Sequence, residues 1–305
     1  MKPCIIMRSY NDMPLMVDTL AMVSRQTTPF ELTSLDNDST DGTLDEIKKY
    51  TDRTINIPKG TYVPGRVLNQ GMAVSHGEFV VFLNSDCTPQ NELWLKTLLA
   101  GFADDNVAAV FGRQIPRPDC HPIFAKDTED TFGDGSNQKY WRHCFSMASS
   151  AIRRSVWEKM KFDEDIQYSE DIDWTWRARQ KGHEIRYVAD SIVMHSHNYN
   201  LRQFYRRHYG EGRAEAVIFD WSKWEQSLIR YSVLPYIRQI MSDEKYCLSH
   251  FFLGACFYSP VLRLAQLLGR RAGFKDGSVD SAKMATSQLR QSSCDGRAAG
   301  TEGVR

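Results

Sequence analysis

The sequence has 305 residues, 42% hydrophobic and 25% charged, as expected of a globular protein with one α/β domain and a smaller appendage. Lysine plus arginine equal aspartate plus glutamate, 38 against 38, so the formal net charge is zero. No overall field would attract nucleic acid, and we exclude that class of partner.

The seven cysteines are scattered and include no CxxC pair, which argues against a zinc ribbon or a thioredoxin-type site and is typical of a reducing compartment. The apolar run at 4–7 is too short for a secretory signal. The longest apolar stretch, 248–268, is interrupted by His250, Pro260 and Arg263, so we predict no membrane-spanning helix. The expected location is the cytoplasm.

The first half of the chain alternates between strand and helix patterns. Short apolar strands are predicted at 4–7, 30–35, 54–57, 79–83 and 107–111. Helical periodicity lies between them, at 15–23, 40–47, 65–75 and 92–102. This alternation predicts a three-layer α/β fold around a mostly parallel sheet.

The second half begins with segment 116–141, whose prolines, glycines and acids show little periodicity and predict a long functional loop. A strand at 145–152, a helix at 169–181 that Gly182 can terminate, and a strand at 184–188 follow. From Leu201 the pattern is helical, and after 275 the polar, Ser/Gly/Ala-rich composition predicts disorder. We predict an α/β domain over 1–200, a helical appendage over 201–275 and a disordered tail over 276–305.

Polar clusters follow the predicted strands, and in open α/β sheets the ligand crevice lies at the carboxyl ends of strands. The clusters are Arg8-Ser9-Tyr10-Asn11-Asp12, Asp36-Asn37-Asp38-Ser39-Thr40-Asp41-Gly42, Asn84-Ser85-Asp86, Ser169-Glu170-Asp171-Ile172-Asp173 and His195-Ser196-His197. Each has a purely structural alternative, because Asn, Asp, Ser and Gly favour turns and helix caps, and histidines often only hydrogen-bond at a polar edge.

The residue types in these clusters suit one set of reactions. Short polar side chains in the first two clusters can read a base and a ribose. A carboxylate at Asp86 can bind Mg²⁺ or Mn²⁺, which in turn bridges the phosphates of a nucleotide-sugar. A carboxylate in the fourth cluster can deprotonate a sugar hydroxyl. His195 and His197 alternate along an extended segment, so both imidazoles face one side, where they can ligate a manganese-class metal.

Taken in order over about 2–216, the clusters resemble the family 2 glycosyltransferases, which have the GT-A fold, a Rossmann-like mostly parallel sheet flanked by helices. The resemblance implies an inverting transferase that moves a sugar from a nucleoside-diphosphate sugar to an acceptor hydroxyl in cell-surface polysaccharide assembly. It implies a catalytic base at Asp171 with Glu170 beside it, and a metal site at Asp86 with His195. Nucleotide-sugar contacts are implied at Ser9, Tyr10, Asp12, Asp36, Asn37, Arg66, Asn69 and Ser85.

Two positions depart from the family pattern: Asn84 replaces the first acid of the DxD metal motif, and Asn37 replaces an aspartate of the Asp-Asp-Gly-Ser run. Both variants, with the run 195–199, resemble the rhamnosyltransferase-like branch, which favours a rhamnose-like donor on dTDP or UDP. The alternatives are a UDP-hexose or UDP-N-acetylhexosamine donor, or a non-catalytic binding protein that kept the fold. A nucleotidyltransferase is disfavoured, because the segment 8–12 lacks the glycines of a triphosphate loop.

The implied partners are a nucleotide-sugar donor, a divalent cation (Mn²⁺ or Mg²⁺) and a saccharide or lipid-linked saccharide acceptor. Segment 248–268, with basic residues within and after it, resembles an interfacial helix pair lying on the inner face of the cell membrane. The alternatives for this segment are a hairpin that closes the core and a homodimer interface.

Overall fold

The computed structural model describes residues 2–141, 143–219 and 232–298, and the chain divides into two compact units, Met1–Asn198 and Tyr199–Arg305. Strands β1 to β8 of the first unit span Cys4–Ser9, Glu31–Asp36, Thr54–Asn56, Phe79–Asn84, Thr88–Pro89, Val107–Ile115, Ser149–Arg153 and Glu184–Met194. Helices α1 to α7 span Leu15–Ser24, Thr43–Ile47, Pro64–Val74, Trp94–Ala100, Pro122–Phe132, Arg154–Lys159 and Glu170–Gln180, and a 3-10 helix spans Ser136–Tyr140.

Among the described residues, the strands form one eight-stranded sheet in the order β3-β2-β1-β4-β7-β6-β8-β5. β7 runs antiparallel to both β4 and β6, and β5 runs antiparallel to β8. The other described strands all point the same way, because β1 is parallel to β2 and β4, β2 to β3, and β6 to β8. The predicted α/β class with a mostly parallel sheet is therefore confirmed.

The core lies on both faces of this sheet, because successive side chains of a strand point to opposite faces. In β1, Ile6 joins the cluster that contains Trp174 of α7, whereas its neighbour Ile5 joins the cluster that contains Trp94 of α4. All four side chains are fully or almost fully buried. Two helical layers therefore enclose the sheet and leave its strand ends as the place where polar residues gather.

Some local predictions differ from the structure. The segment expected to be an irregular loop, 116–141, contains α5 and the 3-10 helix. Helix α5 begins because Nδ1 of His121 accepts a hydrogen bond from the backbone N–H of Ile123 at 3.3 Å and Pro122 occupies the first turn, where its missing N–H costs nothing. The strand expected at 145–152 begins only at Ser149, which leaves the residues before it free to turn toward the polar edge.

The second unit is helical where it is described, with α8 at Leu201–Ile218, α9 at Val233–Ser249 and α10 at Leu253–Ala298. Helix α8 begins with a capping box in which the side chains of Asn200 and Gln203 each accept from the other's backbone N–H. Helix α10 continues through 276–298, where composition predicts disorder. The remainder of that predicted tail, 299–305, and part of the predicted appendage, 220–231, lie outside the described residues.

The helices of the second unit are held by close packing and by one buried ion pair. A Cβ atom placed on Gly273 of α10 would lie 1.9 Å from the carbonyl oxygen of Tyr209 in α8, so only glycine permits this approach. Between α9 and α10, the guanidinium of Arg263 donates to both carboxylate oxygens of Asp243 at 2.7 and 3.0 Å, and both side chains are fully buried. Among the helices of the described residues, none combines the length and the apolar composition that a membrane span requires.

Candidate active site

Three adjacent parallel strands end together at one edge of the sheet. Ser9 is paired with Asp36 in the β1–β2 register, and Arg8 is paired with Asn84 in the β1–β4 register. The predicted polar clusters therefore meet because the strands before them are neighbours. The carboxyl ends of β6 and β8 lie at this same edge, where Ile115 pairs with Met194 just before His195.

The carboxylate of Asp36 is fully buried and accepts three hydrogen bonds at the end of β2. It accepts from the hydroxyl of Ser9 at 2.8 Å, and from the hydroxyl and backbone N–H of Ser39 at 2.7 and 2.9 Å. The backbone N–H of Asn37 donates to the carbonyl of Ser9 at 2.9 Å, and that of Ile57 to the carbonyl of Asp36 at 2.7 Å. This network ties together the polar ends of β1 and β2.

Asp12 connects these strand ends to the third cluster, Asn84-Ser85-Asp86. Its carboxylate accepts from the backbone N–H of Tyr10 at 2.9 Å and from the hydroxyl of Ser85. Burial raises the pKa of Asp12, and these two hydrogen bonds oppose that rise. The ring of Tyr10 stays about half exposed, so a flat aromatic face is available to a planar ligand.

Asp86 lies just beyond β4 and faces two imidazoles. Its Oδ2 atom is 3.5 Å from Nε2 of His195 and 3.8 Å from Nδ1 of His197, as the alternation of the two histidines predicts. Burial tends to raise the pKa of Asp86, but the imidazoles of His195 and His197, when protonated, and the guanidinium of Arg117 outweigh it and lower that pKa to about 2. Asp86 is therefore a carboxylate at neutral pH. Arg117 also donates to the backbone carbonyl of Asp86.

The donors around Asp86 fit a divalent cation. Within the part of the chain that the structure describes, Asp86, Cys87 and His195 form a group whose ligand atoms lie within 4.8 Å of one another. Nε2 of His195 is buried without a hydrogen-bond partner, which leaves one imidazole nitrogen directed at this group. Burial raises the pKa of the Cys87 thiol well above its usual value, so Cys87 is a weaker ligand than the other two.

Asn84, at the first position of the metal motif, has another partner. Its Oδ1 atom accepts a hydrogen bond of 2.8 Å from the guanidinium of Arg8, whose other terminal nitrogen lies 3.8 Å from the carboxylate of Glu170. An aspartate at 84 would place another acid on the guanidinium that already faces Glu170. The asparagine at position 84, where the family pattern has an acid, is therefore paired with the positive charge of Arg8.

Glu170 and Asp171 open helix α7 beside Arg8. Burial raises the pKa of Glu170 to about 7, with the charge of Asp171 adding to the rise and that of Arg8 opposing it. Asp171 accepts from its neighbour's backbone N–H, on Ile172, at 2.8 Å and from that of Met147 at 3.2 Å. Burial raises the pKa of Asp171 despite these bonds, so the position at a helix N-terminus does not by itself govern its ionisation.

Residues 146–148, just before β7, join the acid pair to the metal side of the edge. The backbone N–H of Met147 binds Asp171, and the carbonyl of Ala148 accepts from the backbone N–H of Asn84 at 3.0 Å. This connection exists because β7 is antiparallel, which brings its amino end to the edge where β4 has its carboxyl end. Asp171 and the strand that leads to Asp86 therefore lie at one edge of the sheet.

Two predicted nucleotide-sugar residues lie on α3 with other partners. The Asn69 side chain donates to the carbonyl of Phe162 at 3.0 Å and to Glu164 at 2.9 Å, and its oxygen accepts from Trp157 and from the N–H of Phe162. These bonds use the donors and acceptors of the Asn69 amide. Arg66 is exposed and lies 3.5 Å from Glu164. The ligand roles of both residues stay predictions.

Three residues of this edge escaped the sequence analysis: Gln114, Arg117 and Ser146. Arg117 and Ser146 stand outside the regular strands, in segments whose position depends on contacts with distant parts of the chain. Gln114 offers one signal, since it follows Arg113 as a polar residue near the end of a strand, β6, that begins with an apolar run.

The family model described as glycosyl transferase family 2 matches residues 4–160 of the chain. The chain is 34% identical over 195 residues to the O-antigen chain rhamnosyltransferase WbaN of Salmonella anatum, a match that covers 60% of this chain and 62% of the relative. It is 28% identical over 225 residues to the O-antigen chain rhamnosyltransferase RfbN of Salmonella typhimurium, covering 70% of this chain and 72% of the relative. The chain thus spans under two thirds of the first relative.

Solved structures share the fold at low sequence identity. The mannosyltransferase PcManGT from Pyrobaculum calidifontis, in complex with GDP-Man and Mn²⁺, superposes with a TM-score of 0.55 at 17% identity, over 94% of this chain and 80% of that one. The glucosyl-3-phosphoglycerate synthase of Mycobacterium tuberculosis, with Mn²⁺, UDP and phosphoglyceric acid, gives 0.52 at 15% identity, over 70% and 76%.

Proposed function

The chain belongs to glycosyltransferase family 2, and on that premise we propose that it transfers a sugar from a nucleoside-diphosphate sugar to an acceptor hydroxyl, with inversion, during assembly of a cell-surface polysaccharide. The observation that supports this most is the convergence of Asp86 and Asp171 at one edge of the sheet, bridged by Arg8, Asn84 and the backbone of 146–148. The O-antigen relatives support the polysaccharide context.

The polar ends of β1 and β2 would bind the nucleoside. The buried carboxylate of Asp36 would fix Ser9 and Ser39 beside the ribose and base. The half-exposed ring of Tyr10 would stack on the base. Asn37 and Asp12, with Ser85 bonded to Asp12, would lie on the side of the nucleotide toward Asp86, where the diphosphate would lie.

Asp86 and His195 would hold the divalent cation, since one is an ionised carboxylate and the other has a buried nitrogen without a hydrogen bond. A Mn²⁺ or Mg²⁺ ion bound there would stabilise the negative charge that grows on the departing diphosphate. Neighbouring folds solved with Mn²⁺ and a nucleotide or nucleotide-sugar are consistent with this cofactor.

Asp171 would act as the general base. Its carboxylate takes the proton of the acceptor hydroxyl while the oxygen of that hydroxyl forms a bond to the anomeric carbon. The bond from that carbon to the phosphate oxygen breaks, and its electron pair leaves with the diphosphate. Attack from the face opposite the leaving group inverts the anomeric configuration. Burial raises the pKa of Asp171 toward the working pH, which favours proton transfer.

We propose a rhamnose-like donor, because the O-antigen relatives described above are rhamnosyltransferases. A UDP-hexose or UDP-N-acetylhexosamine remains the alternative donor class. A thermal-shift screen of nucleotide-sugars with Mn²⁺ separates them, because a ligand that binds the folded state raises the melting temperature by mass action. The largest shift is expected with a dTDP- or UDP-linked deoxyhexose.

The catalytic assignment is tested by Asp171→Asn. This variant should lose at least about 10³-fold in transfer, within the range for loss of an essential catalytic group, while donor affinity stays close to that of the wild type. The matched control is Asp173→Asn on the same helix, whose carboxylate binds Arg177, and which should retain transfer. EDTA should stop turnover and Mn²⁺ should restore it. Normal turnover by Asp171→Asn, or full activity without metal, would overturn the mechanism.

We also propose that the second unit contacts the inner face of the cell membrane, as suits a lipid-linked acceptor. Around the α9–α10 turn, Phe251 and Phe257 are 88% and 85% exposed, and Leu248 and Leu253 are more than half exposed. Such apolar side chains suit the boundary between headgroups and acyl chains. The protein should float with anionic liposomes, and Phe251→Ser/Phe257→Ser should not. If the wild type instead stays unbound and the pair of substitutions abolishes a dimer, the surface is a homodimer interface.

A further inference from the structure

Gln114 stands behind the metal side of the edge, near the end of β6, and only about 5% of it is exposed. Its side-chain oxygen lies 2.7 Å from Nδ1 of His195. Its side-chain nitrogen donates to the hydroxyl of Ser146 at 2.8 Å. The amide therefore spans the distance between the segment that contains His195 and the segment that leads into β7.

These contacts select one tautomer of His195. The hydroxyl oxygen of Ser146 accepts from Gln114 and also lies 3.4 Å from the backbone N–H of Ala148, so it faces two donors. In the structure the amide nitrogen of Gln114 points to Ser146 and its oxygen points to the imidazole. An oxygen at 2.7 Å accepts a hydrogen bond, so the proton of neutral His195 belongs on Nδ1 and the lone pair on Nε2.

The other side of the ring agrees with this arrangement. Nε2 is buried and makes no hydrogen bond, and it stands 3.5 Å from Oδ2 of Asp86, beyond the usual length of an N–H···O bond. A protonated Nε2 facing a carboxylate would be expected to close that gap. An unprotonated Nε2 instead presents its lone pair on the side of the Asp86 carboxylate, so that both atoms can bind one cation.

We propose that Gln114, oriented by Ser146, is a positioning residue that holds the proton of His195 on Nδ1 and so keeps Nε2 available to the divalent cation beside Asp86. The inference rests on the proposed function for the identity of the cation. Residues behind a metal-ligating histidine fix its tautomer and ring orientation, and their loss commonly lowers metal affinity 10- to 100-fold. The contact with Ser146 also joins the metal side to Met147, whose N–H holds Asp171.

The first test measures the tautomer directly. Two-bond ¹H–¹⁵N spectra of histidine-labelled, metal-free protein, with His195 identified by comparison with His195→Ala, should show Nδ1 protonated and Nε2 unprotonated. The opposite tautomer in the wild type would overturn the inference. This measurement needs no cation, so it stands whether or not the metal part of the proposed function holds.

The second test measures Mn²⁺ affinity by electron paramagnetic resonance, with Mn²⁺ alone and with Mn²⁺ plus saturating dTDP or UDP. Gln114→Leu, which removes the acceptor at similar volume, should weaken binding about 10- to 100-fold. Gln114→Glu keeps an acceptor oxygen and should stay within a few-fold of the wild type. The control is Gln26→Leu, another buried glutamine bonded to Met22, Asn91 and Leu95 on helix and turn backbone, which should leave Mn²⁺ affinity unchanged.

The outcomes separate the two claims. A wild type that binds no Mn²⁺ under any of these conditions contradicts the metal site of the proposed function, and the tautomer spectrum then decides the role of Gln114. A wild type that binds Mn²⁺, with Gln114→Leu binding equally well, overturns the positioning role while the metal site stands.

Discussion

The guanidinium of Arg8 lies 3.8 Å from the carboxylate of Glu170, and both side chains are nearly buried. The same guanidinium donates to the side chain of Asn84. Arg8 is therefore a cation placed between the strand that leads to Asp86 and the acid pair at the start of α7.

Removing this cation should change the pH dependence of transfer. Arg8 lowers the pKa of both Glu170 and Asp171 against the effect of burial. In Arg8→Met both values should rise, so the base would be ionised only at higher pH, and the acid limb of kcat/KM should move up by about one pH unit. Arg8→Lys keeps the charge and should shift the limb less. An acid limb that Arg8→Met leaves in place would contradict the role of Arg8.

Glu170 should make the folded state less stable as the pH rises. Its pKa is about 7 in the folded chain against an ordinary 4.5. Below pH 4.5 both states hold the proton. Between 4.5 and 7 the unfolded chain releases it first, so the folded state loses stability as pH rises, by roughly 3 kcal/mol at most. Urea unfolding across this range should show a shallower loss for Glu170→Gln. The exposed control Glu158→Gln should follow the wild type; identical slopes for Glu170→Gln would refute the expectation.

Gly273→Ala should destabilise the helical unit. The added methyl would meet the carbonyl oxygen of Tyr209 at 1.9 Å, and backbone on both sides would have to move. We expect a loss of about 1–3 kcal/mol or more in the free energy of unfolding, measured by urea titration of the full chain. The control is Gly254→Ala near the start of the same helix, where an added Cβ meets nothing within 4 Å. That variant should be neutral or gain up to about 1 kcal/mol from helix propensity.

The buried ion pair of Arg263 and Asp243 should show strong coupling. Arg263→Met leaves a fully buried carboxylate without its main cation and should cost about 3–5 kcal/mol. Asp243→Leu/Arg263→Met removes both charges and should recover most of that loss, because neither charge is then stranded. A double-mutant cycle by chemical denaturation measures the coupling, and additive single substitutions would show that the pair does not act as a unit.

The family and the fold class could be predicted from the sequence, because both depend on patterns that are local along the chain. Apolar runs of strand length alternate with helical periodicity, and polar clusters follow the strands in a fixed order. The family match and the sheet confirmed these predictions. Helix α5 was not predicted, because its composition is polar and its start depends on a His–Pro pair that is typical of a loop.

The partners of the site residues could not be predicted. Asn84 reads in sequence as a weakened metal ligand, but in the structure its oxygen is bound to a guanidinium 76 residues away. Asn69 reads as a ligand contact, yet its amide is occupied by Trp157, Phe162 and Glu164. Such bonds join segments that are far apart in the chain, so no spacing in the sequence records them.

The sequence by itself therefore determined which chemistry is available: carboxylates at 86 and 171, imidazoles at 195 and 197, and short polar side chains after the first strands. Only the tertiary structure decided how those groups are tuned. The antiparallel course of β7 brings the backbone of Met147 to Asp171, and burial raises the pKa of that carboxyl. Desolvation and hydrogen bonding depend on what surrounds a group in space, and that is set by strand pairing rather than by neighbours in the chain.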